Sequence, residues 1–85
     1  MKNYRTDEQF HSITTNCLNG NWSDAARDCV EYGFYAQDLI NKNQQAKNDE
    51  LFFDDELGDT VFVQPFDEDT DIAIVIQMAT ELRNK

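Results

Sequence analysis

The sequence predicts an α+β fold: three N-terminal helices, a short β-hairpin and a C-terminal helix in one small domain spanning residues 1–85. Three observations carry this prediction. Apolar residues recur at helical spacing through the near-neutral half, residues 1–48. Two short runs rich in Phe and Val flank the turn residues Leu57-Gly58-Asp59. The run from Asp71 opens with acids and closes with Arg83 and Lys85, the charge order that a helix dipole favours. A chain of 85 residues with a 40% hydrophobic share supports a packed but thin core, since a domain this small buries only about 60% of its unfolded surface.

Thr6-Asp7-Glu8-Gln9 has the form of a capping box, in which the Thr6 hydroxyl meets the Gln9 amide and the Gln9 side chain reaches back. Phe10, Ile13, Cys17 and Leu18 follow at helical spacing, and Asn19-Gly20 supplies a stop, so the first helix is expected over Asp7–Leu18. Asn21 or Ser23 caps the second, whose apolar stripe is Trp22, Ala25, Ala26, Cys29 and Val30, with Asp24 in its first turn. Gly33 ends it. Phe34, Tyr35, Ala36, Leu39 and Ile40 form a short third helix, followed by a polar tail, Asn41–Asn48. The pair joined at Gly33 has the outline of a helix-turn-helix. Its second helix offers Asp38, Lys42 and Lys47, a poor set for a phosphate backbone, and the pair reads better as ordinary packed helices.

Leu51-Phe52-Phe53 and Thr60–Gln64 are strand-like, and Pro65 stops the second from simply continuing. Asp67–Thr70 is rich in helix-capping residues. Beyond it, the β-branched cluster Ile72, Ile74, Val75 and Ile76 is compatible with a strand. A helix is preferred because the acids lie at its start, because Ile72, Val75, Ile76, Ala79 and Leu82 keep a helical stripe, and because Glu81 and Lys85 form an i,i+4 pair. Ile74 and Met78 widen that stripe and predict a centrally placed helix.

The formal net charge is −10 and is divided unevenly. Residues 1–48 hold five basic and six acidic groups, whereas residues 49–85 hold two basic and eleven acidic groups. No Lys or Arg interrupts the chain between Lys47 and Arg83. Direct nucleic-acid binding is disfavoured, because it requires Lys and Arg to neutralise phosphates. An anionic membrane surface is disfavoured for the same reason. The polar start MKNYRTDEQF lacks the apolar core of a secretory signal, and no apolar run reaches the roughly 20 residues that span a bilayer. Cys17 and Cys29 sit at apolar-face positions, which suggests reduced thiols and a cytoplasmic protein.

No chemical motif survives inspection. Asp67-Glu68-Asp69-Thr70-Asp71 matches the opening of an EF-hand loop, but Ile72 stands where the loop needs Gly and Met78 where it needs a bidentate Glu. His11, Cys17 and Cys29 fit no zinc spacing and are one ligand short of a structural site. His11 is the single His, and its neighbour Ser12 points elsewhere on a helix. No nucleophile motif surrounds any Ser or Cys. The expectation is therefore a protein that is not an enzyme and needs no metal or cofactor.

The acids themselves remain. Asp49–Asp71 contains ten of them interleaved with Leu, Phe and Val, so it reads as a folded negative surface. Such a run is often only a solvated face. The functional alternative is imitation of a polyanion. Duplex DNA carries one charge per about 3.4 Å along each strand. Asp67, Asp69 and Asp71 would lie roughly 6.6 Å apart on one face if extended, and Asp67 and Asp71 about 6 Å apart if helical. The candidate partner-binding residues are Asp54, Asp55, Glu56 and Asp59 at the hairpin tip, with Asp67, Glu68, Asp69 and Asp71 at the helix start. Of Phe52, Phe53, Phe62 and Phe66, some must fill the core. One or two exposed rings would anchor an interface that the charges steer.

In its size, its single acidic half and its lack of catalytic residues, the chain resembles the small acidic anti-defence proteins of phages and plasmids, the anti-CRISPR and antirestriction inhibitors, several of which are DNA mimics. That resemblance implies an inhibitor whose partner is a basic nucleic-acid-binding protein or complex. The competing expectation is a small structural or regulatory subunit that binds through its helical half, with Trp22, Phe34 and Tyr35 as anchors and the acids serving only solubility.

Overall fold

A computed structural model describes residues 4–85. Four helices, α1 (Tyr4–Leu18), α2 (Trp22–Tyr32), α3 (Ala36–Lys47) and α4 (Asp69–Arg83), enclose a hairpin of β1 (Phe52–Asp54) and β2 (Thr60–Phe62). The α+β class and the element order are those the sequence predicts. Buried residues from every helix and from both hairpin arms meet in one core. Phe10 of α1 stands at its centre, edge-on to Phe34 at 6.4 Å and to Phe66 at 5.8 Å.

Several boundaries differ from expectation for identifiable reasons. The chain is already helical at Tyr4, so Thr6 lies inside the first turn and does not cap it. Nothing in Tyr4-Arg5 opposes a helix. Asn21 occupies the cap position of α2 without a side-chain bond. Gly33 closes α2 in the left-handed conformation, φ 77°, and its amide reaches Val30 O; any side chain there would be strained. The tail Asn41–Lys47 is helical, not an irregular extension. It is polar by composition, yet Asn43 and Ala46 face inward with Leu39 and supply a buried side. Asp38 holds the start of α3 by accepting the Tyr35 amide at 2.9 Å. Helix α4 begins at Asp69, two residues early, and absorbs the β-branched cluster. Ile72, Val75 and Ala79 are buried, whereas Ile74 and Leu82 are exposed. Ile76 and Met78 pack partly against the core, so the apolar face is narrower than expected on the Ile74 and Leu82 side alone.

Polar contacts far apart in sequence lock this arrangement. Asn43 Oδ1 accepts the Phe66 amide at 2.8 Å inside the core, fixing the segment that enters α4. The Gln64 amide donates to His11 Nδ1 at 3.1 Å, so the imidazole must carry its proton on Nε2. The same ring lies edge-on to Phe53 at 5.3 Å. Burial lowers the His11 pKa, and Glu8 opposes that effect only in part. Asp28 of α2 accepts Asn16 Nδ2 at 2.9 Å and the Ser12 hydroxyl at 3.4 Å from α1. Its carboxyl is raised mainly by burial. Arg83, at the end of α4, donates to the carbonyls of Cys29 and Phe34 and lies 4.2 Å over the Tyr35 ring. The Cys29 carbonyl already accepts the Phe34 amide at 2.8 Å, so the guanidinium is a second donor there and ties the end of α4 to the corner between α2 and α3.

Candidate protein-binding surface

The eight candidate carboxylates lie on two structural elements. The first is the hairpin. Its register pairs Phe52 with Phe62, Phe53 with Val61 and Asp54 with Thr60. The pleat sends alternate residues to opposite faces. Leu51, Phe53 and Val63 are buried and Val61 packs partly against the core, so Phe52, Asp54, Thr60 and Phe62 form the other face. Val63 N donates to Leu51 O and Asp55 N to Asp59 O. The outward pairs therefore fall at non-hydrogen-bonded positions, where side chains approach most closely. Phe62 is 54% exposed, and its ring meets Phe52 edge-on at 6.2 Å.

The loop at the tip is tightly wired. Asp55 Oδ1 accepts the amides of both Leu57 and Asp59 at 2.9 Å. Gly58 N donates to Asp55 O at 3.0 Å, and Gly58 takes φ 85°. This is a turn closed by a left-handed glycine, with an aspartate side chain replacing one ladder bond. Asp55 is thus half-buried and partly committed to shaping the loop, while Asp54, Glu56 and Asp59 are exposed. Leu57 is 87% exposed at the summit.

The second element is the start of α4. Asp67 and Glu68 precede the helix, and Asp69 and Asp71 lie in its first turn, where the dipole favours negative charge. Asp67, Glu68 and Asp69 are exposed and Asp71 is half-buried. Asp71 and Asp67 both act on the Cys17 thiol, adding to the burial that pushes it up to about 11. Asp69 points elsewhere, to Lys47 Nζ at 3.2 Å. The expected spacing of Asp67, Asp69 and Asp71 along one face does not form, because the helix begins between them. The eight predicted residues divide into a hairpin-tip group and a helix-start group.

Counter-charges are scarce around both groups. Among the described residues, Asp69 is the one member of the eight with an ion pair. Lys42 is held by buried Asp7 at 2.9 Å, Arg27 pairs with Asp24, and Arg83 is spent on carbonyls. With Lys42 and Lys47 both engaged, helices α2 and α3 offer no cationic face of helix-turn-helix type. The helical-half anchors fare poorly. Phe34 is 4% exposed and belongs to the core, and Trp22 packs partly against it. Tyr35 is exposed but lies under Arg83. Sequence reasoning did not single out Leu57 as a surface residue, nor Phe62 among the four phenylalanines. The signal for Phe62 was present in the two-residue alternation, once the register was known.

No group of three or more His, Cys, Asp or Glu among the described residues is gathered to hold a metal, and none of the described helices is long and apolar enough to cross a membrane. Comparison of the chain with protein-family models, with curated proteins and with solved structures finds no match in any of the three.

Proposed function

We propose that the protein is a non-enzymatic inhibitor of the anti-CRISPR or antirestriction kind, working in the bacterial cytoplasm. It binds the basic nucleic-acid-binding surface of a defence complex and imitates the charge of nucleic acid. The observation that supports this reading is the shortage of internal counter-ions. Seven of the eight acids on the hairpin tip and helix start have no ion pair among the described residues, although the chain holds Lys and Arg elsewhere. Like charges held together on a folded surface raise the energy of the free protein, and a cationic channel relieves that repulsion while excluding DNA or RNA. Of the three anchors expected for a helical-half subunit, Phe34 is buried in the core, which favours the acidic surface over that alternative.

The test is affinity capture from a bacterial lysate at low and high salt, followed by a DNA-displacement assay with each recovered protein. The expected result is recovery of nucleic-acid enzymes that bind more weakly as salt rises and that release labelled duplex when the protein is added. Recovery of only neutral or acidic partners, or binding that leaves the duplex in place, overturns the proposal. Asn substitution at Asp54, Asp59, Asp67 and Asp69 should slow association more than it speeds dissociation.

A further inference from the structure

We infer that the outward face of the hairpin is the partner's docking point, and that it takes an arginine-bearing segment whose guanidinium lies over Phe62 and reaches Asp54. This rests on the functional reading above and names the contact within it. Phe62 is a half-exposed ring in a chain small enough to need its rings inside, and Phe52 supports it edge-on from across the strand pair. Asp54 shares that face and stands diagonally across from Phe62, at the roughly 7–8 Å typical of such neighbours. An arginine spans this gap with its planar fork on the carboxylate and its π-face on the ring, which a lysine's compact ammonium does less well. Asp54 has no ion pair among the described residues, so the carboxylate beside the ring calls for a cation. Four hydrogen bonds fix the Asp55–Asp59 loop, two of them to the Asp55 side chain, so little ordering entropy is lost when this face is covered. The chain builds the same chemistry internally, where Arg83 lies 4.2 Å over Tyr35 while its guanidinium donates to oxygen acceptors.

The experiment titrates the labelled protein with two synthetic peptides of equal charge, an alternating Arg-Gly nonamer and its Lys-Gly counterpart, at moderate salt, reading affinity and the Phe62 ring resonances by NMR. The arginine peptide should bind roughly two- to five-fold more tightly, the range an exposed cation–π contact supports, and should shift the Phe62 ring. Phe62→Ala should bring the two affinities together while leaving the lysine peptide unchanged. Phe62→Leu, which keeps the bulk of the strand residue without a π-face, should do the same. Equal affinities for the wild-type chain, or an arginine preference that survives both substitutions, would overturn the inference while leaving the inhibitor reading in place. Absence of binding by either peptide would overturn both.

Discussion

Replacing Asn43 with Ala should unfold the protein at a markedly lower temperature. Asn43 is 4% exposed, and its Oδ1 accepts the Phe66 amide at 2.8 Å in a buried setting. Alanine leaves that N–H with no acceptor and no access to water. A buried donor stranded in this way costs about 1–3 kcal/mol. In a domain of this length each kcal/mol moves the midpoint by roughly 4–8 °C. A loss near 2 kcal/mol therefore predicts a fall of roughly 8–16 °C. Thermal denaturation followed by circular dichroism measures it. Gln44→Ala, at an exposed position of the same helix, is the control and should stay within about 0.5 kcal/mol of wild type. Hydrogen exchange supplies a local readout, since the Phe66 amide should lose protection in N43A beyond what the global loss explains. A midpoint lowered by less than about 2 °C, or a Phe66 amide no faster than its neighbours, would refute the claim that this bond closes the core beneath the α4 entrance.

Three further outcomes follow from the same contacts. His11 favours its neutral form in the folded chain, because burial lowers its pKa from the ordinary value of 6.5. As pH falls below that value the unfolded chain takes up the proton first, so stability should drain between 6.5 and the lower folded pKa; a flat urea midpoint between pH 7 and 5, or an identical decline in His11→Gln, would contradict this. Arg83→Ala should cost about 2 kcal/mol in chemical denaturation through the lost bonds to the Cys29 and Phe34 carbonyls, and Arg83→Lys should recover only part of it, whereas full rescue by Lys would exclude the stacked geometry over Tyr35. Burial pushes the Cys17 thiol up to about 11 and the Cys29 thiol to about 12, so at pH 8 a chromogenic disulfide should react with neither in the native protein and with both in denaturant; rapid native reaction would show that these sulfurs are not buried.

Local chemistry made much of this fold legible. The stripe of α2, the stop at Gly33 and the turn at Gly58 depend on neighbours within a few residues, and the sequence states them openly. What stayed hidden depends on distant partners. Composition alone presents Asn41–Asn48 as a polar tail, because nothing local reveals that Asn43 will meet Phe66 or that Lys42 will meet Asp7 35 residues away. The exposed sides of Ile74 and Leu82 were equally unreadable, since helical spacing marks which residues share a stripe but not how wide a groove receives it. Six of the eight candidate acids are exposed, and Asp55 and Asp71 are half-buried. Asp55 spends one oxygen on its own loop, a role written in the Asp-to-Gly58 spacing. Asp69 is drawn to Lys47, a pairing that needed the third dimension.

The guanidinium at position 83 has a consequence for biosynthesis. Translation delivers the chain from its first residue onward, and the corner between α2 and α3 is fastened by a side chain that arrives some fifty positions later. Until then the Cys29 carbonyl keeps only its local bond from the Phe34 amide, and Tyr35 has no cation above it. The closing contact on that corner thus depends on the last turn of the last helix, and the N-terminal half alone lacks it.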